Sequence, residues 1–469
     1  VERGIPGLSL VLEPSLTSRR LFALLSGLLV PGGLHAAELD WNGYYRARGL
    51  IYDSLSLSET NALSEGTSNL IDHRLQLEPR FILSERVGLF AQIDGLNLVP
   101  WGDNPERWLD PVTGEETWLA YDQTQLSPRS TNNESLASSI AVTRAWGEVY
   151  TGVGRLRFGR VPLHWGTGIF LNDGRSPGAE FGDTADRVQF TARLGPVHLM
   201  GAWDVQYEGY LNVPDDMQSL NAAVAWQTES AGVGFYNSYR YQPSMSFNAW
   251  TGDLWFFTDM GPARVDGEVV AVLGGGNLEG GQNDISIRAM GAMLRGEYRG
   301  DHPQFGIEAG LATGDANPND ATIKTFTFDR DHNVSLLLFE EPMPQLEAAS
   351  ANETNGGRNL DAVRTGEGIR NALYLRPHVG WRFDDVWSVD LAVLLAQAAR
   401  LPEELSANKG YGVETDLTTA FRPYQHFSVE GGLGLFLPGK YFKSYEHTEL
   451  GGGFNRYVLG GRLMGTVAF

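Results

Sequence analysis

The chain has 469 residues, no cysteine, 57 glycines, 12 tryptophans and 17 tyrosines, and a formal net charge of -21. Its mean hydropathy is -0.22, and no uninterrupted apolar run approaches the roughly 18 residues of a spanning helix, which excludes a helical membrane bundle. The acidic balance excludes nucleic acid as a partner and is what large, solvated loops would carry.

After residues 1–18, the pair Arg19-Arg20 precedes an apolar run from Leu21 to Val30 and the small-residue stretch Leu34-His35-Ala36-Ala37. These are the three parts of a secretory signal, with cleavage expected after Ala36 or Ala37. The expected division is therefore a leader and signal at 1–37 and one domain at 38–469. A cysteine-free chain suits export in an unfolded state.

From there the chain alternates apolar and polar residues in one continuous series, with no linker between domains. The alternation predicts about 18 strands, near residues 39–52, 70–83, 87–97, 140–151, 155–164, 186–194, 196–207, 219–228, 231–241, 247–257, 263–274, 284–298, 302–312, 370–383, 386–397, 410–422, 426–437 and 455–469. Short turns fall at Ser84-Glu85-Arg86, Thr151 to Gly154, Leu194-Gly195-Pro196, Met260-Gly261-Pro262, Phe383-Asp384-Asp385 and Pro423-Tyr424-Gln425, where Gly, Pro and Asp supply the turn chemistry. Between them lie long connections at 98–139, 165–185 and 313–369. An even strand count, with short connections on one side and long ones on the other, is the pattern of an all-β, transmembrane antiparallel barrel with long loops outside. A soluble β-sandwich would also alternate. It would not end its apolar faces in aromatics as this chain does at Trp41, Tyr45, Trp381 and Phe383.

If the apolar face meets lipid, parity sends the other face into the lumen. Early strands place Arg46, Arg48, Arg74, Arg80, Arg144, Arg155, Arg157, Arg187 and Arg193 there, beside Glu78, Glu148 and Asp94. Later strands place Asp204, Glu208, Asp266, Glu268, Glu308, Asp390, Glu414, Asp416 and Glu430 inward, with Arg240, Arg376, Arg382, Arg422 and Arg462. Most of these charges are expected to pair across the lumen, and a minority to set selectivity for anions. A barrel of 16 to 18 strands encloses an aqueous channel.

Arg160 falls on the lipid-side parity of Leu156 and Phe158, so either a bulge near Gly159 turns it inward or it lies close to the interface. The connection after it, Trp165 to Ala185, is expected either to fold back as a constriction, with Asp173, Asp183 and Asp186 answering the arginines, or to lie as an ordinary outer loop. Further on, Asp315, Asn317, Asn319 and Asp320 have the alternate-oxygen spacing of the start of a calcium loop, but the sixth position is not Gly and the twelfth is Phe326. A weak outer calcium site is the only cofactor expected. His164, His198 and His378 have no serine at matching parity, so no catalytic residues and no enzyme activity are expected.

The last strand carries Tyr457, Leu459, Leu463, Val467 and Phe469 on one face. Its terminal aromatic resembles the signal by which outer-membrane barrels are recognised for insertion, which implies the barrel-assembly machinery as a partner and membrane lipid and lipopolysaccharide as surroundings. Several pieces spread over the chain resemble the alginate-export family of outer-membrane barrels: Arg157 to Gly166, Asn172-Asp173-Gly174, Gly182 to Arg187, Gly412 to Leu417 and Leu437 to Lys440. The region Phe326 to Phe339 resembles a related group of uncharacterised Gram-negative barrels. This resemblance implies an outer-membrane pore with a cationic lumen for anionic solutes or polysaccharide, and periplasmic polysaccharide-synthesis proteins as partners. A general diffusion porin and a non-transporting structural or surface barrel are the alternatives.

Overall fold

The computed structural model describes residues 38–55, 57, 67–101, 108–109, 116–117, 140–207, 216–277, 284–317, 320–341, 368–401, 408–443 and 455–469. The leader and signal, Glu208 and Asn319 lie outside the described residues. Eighteen long strands form the wall: β1 (Glu38–Asp53), β2 (Thr67–Ser84), β3 (Val87–Pro100), β4 (Ile140–Tyr150), β5 (Arg155–Pro162), β6 (Thr184–Leu194), β7 (Val197–Tyr207), β8 (Met217–Gln227), β9 (Ala231–Gln242), β10 (Phe247–Met260), β11 (Ala263–Gly276), β12 (Ile285–Arg299), β13 (Pro303–Ala312), β14 (Ala372–Arg382), β15 (Trp387–Ala398), β16 (Gly410–Tyr424), β17 (Phe427–Pro438) and β18 (Val458–Ala468). All the predicted strands are present, with ends displaced by a few residues.

Each strand pairs antiparallel with its sequence neighbour, and β1 also pairs with β18, from Tyr44 opposite Ala468 to Asp53 opposite Leu459. This closes the sheet and leaves the wall without an edge, the condition for placing β-structure in lipid. At the seam, Phe469 donates its N–H to the Gly43 carbonyl at 3.0 Å and accepts from the Gly43 N–H at 3.1 Å. An added Cβ on Gly43 would lie 2.2 Å from the Gln76 carbonyl and 3.0 Å from the Phe469 ring, so a larger residue there would strain the β1–β2 ladder as well as crowd the terminal aromatic.

The two faces differ as the alternation requires. On β18, Leu459, Leu463 and Val467 are 45 %, 60 % and 46 % exposed, while Val458, Met464 and Thr466 on the other face are almost wholly buried. The outer belt is therefore the lipid surface of an outer-membrane barrel. The inner face is covered by protein, which a wide empty channel would not show.

Among the described residues, two connections that turn inward cover much of it. Pro162 ends β5 after eight residues, since it has no N–H to continue the ladder, and the wall is low at that point. Residues 163–183 enter the lumen there, burying Leu163, Trp165, Ile169 and Ala179. The Trp165 ring packs 5.6 Å from Tyr236 and 6.3 Å from Trp255. Residues 326–341 form a second inward segment. Phe326, Phe328, Val334, Leu337, Leu338 and Phe339 make the hydrophobic core, against Tyr52, Met293, Tyr374, Leu394 and Phe436 of the wall. The expectation that the long connections lie outside is thus corrected for 326–341. A run this apolar gains more from burial in the barrel than from exposure to water.

Candidate functional site: a lumen narrowed by two inward segments

Parity puts the early arginines on the lumen side, and their partners show what each does there. Arg46 is fully buried and donates to the carbonyls of Pro177, at 2.6 Å, and Ala179. Arg48 holds Asp72 through two bonds of 2.9 and 2.6 Å and also binds Glu180. Arg74 donates to the Ala179 carbonyl at 3.1 Å and pairs with Asp94 at 3.3 Å. Arg144 donates to Gln92 at 2.7 Å and to the carbonyls of Asp173, at 2.6 Å, and Asp183. These four guanidiniums are the anchors of the first inward segment.

The remaining early charges find partners on a neighbouring strand, on their own strand or at a turn. Arg155 and Arg157 share Glu148 at 3.3 and 2.8 Å. Arg187 grips Asp204 with two bonds of 2.6 and 2.8 Å. Arg80 lies 3.6 Å from Glu78 toward the periplasmic end, and Arg193 is exposed there, donating to the Gly195 carbonyl at 3.0 Å. Pairing across the lumen, as expected from the sequence, is therefore corrected. Neighbouring strands bring side chains within about 5 Å, far closer than opposite walls.

Of the two alternatives for Arg160 the position near the interface holds, whereas Asp186, expected inside with the constriction, departs from expectation. No register shift occurs at Gly159, although its φ is +120°, and both side chains remain on the outer face beside Phe158 and Val188. They bind each other through two bonds of 2.9 and 2.7 Å, each about half exposed. Parity wins because an exposed, bidentate pair near the interface costs less than a broken ladder.

Within the first segment, Asp173 pairs with Arg175 at 2.7 Å and lies 3.5 Å from His164, whose imidazole burial makes harder to protonate. Asp183 accepts from the Asn172 N–H at 3.1 Å. Of the two other histidines, His198 is buried and His378 lies 2.8 Å from Asp390.

A single device recurs where each segment is held: a carboxylate accepting successive backbone N–H groups. Asp331 accepts from Glu180 at 2.7 Å, Phe181 at 3.1 Å and Gly182 at 2.8 Å, so it joins the two segments directly. Glu414 accepts from Leu336, Leu337 and Leu338 at 2.9, 2.8 and 2.7 Å, with Asp416 buried beside it. Glu268 accepts from the N–H and hydroxyl of Thr167. Consecutive N–H groups converge on an anion as in other backbone anion sites.

The segments carry further acids into the passage: Glu180, Glu340 and Glu341, with Tyr52 donating to Glu341. Burial pushes the Glu341 carboxyl up to about 7. Burial also raises Glu340, whereas Arg48 and Arg46 overcome the burial of Glu180 and hold it below the usual carboxylate range. Asp331, Glu340 and Glu341 carry no turn or strand signal in the sequence. The clue was the apolar run around them, which is out of place in an outer loop.

Above the first segment is a cavity of about 310 Å³ lined by Asp183, Asp204, Gln206, Ser238 and Arg240. Below it, one of about 70 Å³ is lined by Arg155, Arg157, His164, Arg187 and His198. Arg240, Arg376 and Arg462 are half-buried, face the lumen and, among the described residues, have no hydrogen bond or ion pair, unlike the anchors. In the loop with calcium-like spacing, the Lys324 ammonium sits 3.1 Å from Asp315 and 3.0 Å from Asp320, between the two carboxylates. Among the described residues, no group of three or more acidic or histidine side chains is placed to hold a metal.

No family model matches the sequence, and no curated protein matches it. The fold is similar to that of solved proteins from Pseudomonas aeruginosa. OccK9 (OpdG) is 12% identical, with a TM-score of 0.53 over 92% of this chain and 99% of that one. OpdQ is 8% identical, with a TM-score of 0.51 over 92% and 97%. The outer membrane protein opdK is 9% identical, with a TM-score of 0.50 over 92% and 98%. At these identities the likeness establishes the architecture alone, a closed antiparallel β-barrel.

Proposed function

We propose that this chain is an outer-membrane diffusion channel for small anionic solutes, which pass beside the two inward segments. The observation that carries this reading is the division among the lumen arginines. Arg46, Arg48, Arg74 and Arg144 are bound to loop carbonyls and carboxylates, whereas Arg240, Arg376 and Arg462 have no partner among the described residues. A guanidinium left without an acceptor in a narrow lumen lowers the barrier for an anion by supplying donors in place of its hydration. Glu180, Glu340, Glu341 and Asp416 lie near Arg462, so charge of both signs borders the passage.

An alginate-type polysaccharide conduit is the second reading, favoured by the sequence pieces at Arg157 to Gly166 and Gly412 to Leu417. A polymer needs a wider path, so this reading requires both segments to withdraw, and it brings periplasmic polysaccharide-synthesis proteins as partners. Planar-bilayer recording of the refolded chain separates the readings. Block by a small dicarboxylate supports the first, block by alginate oligomers alone favours the second, and a cation-preferring current unaffected by either contradicts both.

A further inference from the structure

Where the two inward segments meet, two carboxyl groups face each other. Asp183 and Asp329 are in side-chain contact, and both are largely enclosed. Their backbones are fixed on either side of that contact. The Asp183 N–H donates to the Asn172 carbonyl at 2.6 Å, and the Asp329 N–H donates to the Ile169 carbonyl at 2.8 Å. The Asp329 carboxyl accepts from the Asp331 N–H at 2.9 Å, and the Asp183 carboxyl accepts from the Asn172 N–H at 3.1 Å. Two ionised carboxylates held this way repel each other, so the closed junction requires a proton between them.

We propose that Asp183 and Asp329 form a proton-dependent latch: one carboxyl donates its proton to the other carboxylate, which holds the inward segments together, and loss of that proton to solvent separates them. The pore reading enters only through the consequence, a wider passage when the latch opens.

The surrounding charges leave this role to the pair. Asp331 and Glu180 add negative charge, but the Asp331 carboxylate is already bound by three N–H groups and Glu180 by Arg48. Arg144 lies near Asp183, yet of its two terminal nitrogens one is spent on carbonyls and the other on Gln92, and its Nε is buried without an acceptor. Arg74 faces Asp331 and Arg240 faces Asp183, each only at longer range. Burial first, and then the charge of Asp183, push Asp329 up to about 9, and burial also raises Asp183. A carboxyl raised in the closed state stabilises closure in acid. That contribution weakens as pH rises and is lost above about 9.

The chain has no cysteine, so spin labels at Ser176→Cys and Asn333→Cys, one on each segment, report the junction without background. Pulsed electron resonance should give one narrow distance at pH 6 and a longer, broader distribution at pH 10.5. Asp329→Asn replaces the proton with an amide donor and should keep the short distance at both values, as should Asp183→Asn if the first variant folds poorly. An unchanged distance in the parent chain at pH 10.5, or opening of both amide variants to the same extent, overturns the latch. The distance is read without current, so the latch stands or falls independently of whether the channel conducts.

Discussion

The carboxylate of Asp331 accepts the backbone N–H of Gly182 at 2.8 Å, joining two segments that leave the barrel wall at different strands and meet inside it. The same carboxylate takes the N–H groups of Glu180 and Phe181, so one side chain organises a whole turn. Asp331→Ala would leave three donors inside the lumen without their acceptor. We expect this to weaken the junction by about 2–3 kcal/mol. Single-channel recordings should then show frequent steps to a larger conductance, while the barrel's heat-modifiable migration stays as in the parent.

Gly182 itself is the second test. Its φ is +23°, and an added Cβ would lie 2.6 Å from the Arg144 guanidinium and 2.7 Å from the Asp173 carbonyl. Gly182→Ala should therefore displace the anchor and raise the mean conductance in bilayer recordings. The variant should still fold, because on the wall it meets only the far end of the Arg144 side chain and leaves the strand ladder intact.

Anchoring and selecting arginines should separate by phenotype. Arg48→Ala breaks a buried pair with Asp72 and releases Glu180, a loss of about 3–5 kcal/mol on removal of one partner. It should lower the thermal unfolding midpoint. Arg462→Gln removes no bond and should leave that midpoint unchanged while reducing anion preference in a salt gradient.

Glu341 gives the passage its own pH dependence near neutrality. Its carboxyl, raised by burial to about 7, is mostly neutral at pH 6 and mostly charged at pH 8. Its contribution to the closed arrangement is present in acid and lost as pH rises through about 7. Anion preference should fall over the same interval. Glu341→Gln should flatten the profile at the acid-side value, as measured by reversal potentials at successive pH values.

The wall was legible in the sequence because one rule governs every strand: lipid on one side and lumen on the other fix a period of two. That rule placed Arg46, Arg48 and Arg187 inward, and it placed Arg160 outward, where a charge looked implausible. It could not say which arginine is bound. Arg46 donates to the carbonyl of Pro177, and nothing in the local pattern of β1 encodes a partner more than a hundred residues away. Asp72 shows the same limit from the other side, since parity sends it inward but only the register of β1 on β2 sets Arg48 opposite it. The run from Phe326 to Phe339 did carry a signal. Six buried apolar side chains do not belong in an outer loop, and their place is the core inside the barrel.

The most direct test of charge selection by unpartnered arginines is the zero-current potential of the refolded chain in a tenfold potassium chloride gradient, beside the Arg240→Gln, Arg376→Gln, Arg462→Gln triple variant. The parent should be anion-selective, and the triple variant should lose that selectivity at an unaltered unfolding midpoint. A cation-selective parent, or a triple variant as anion-selective as the parent, would contradict the account.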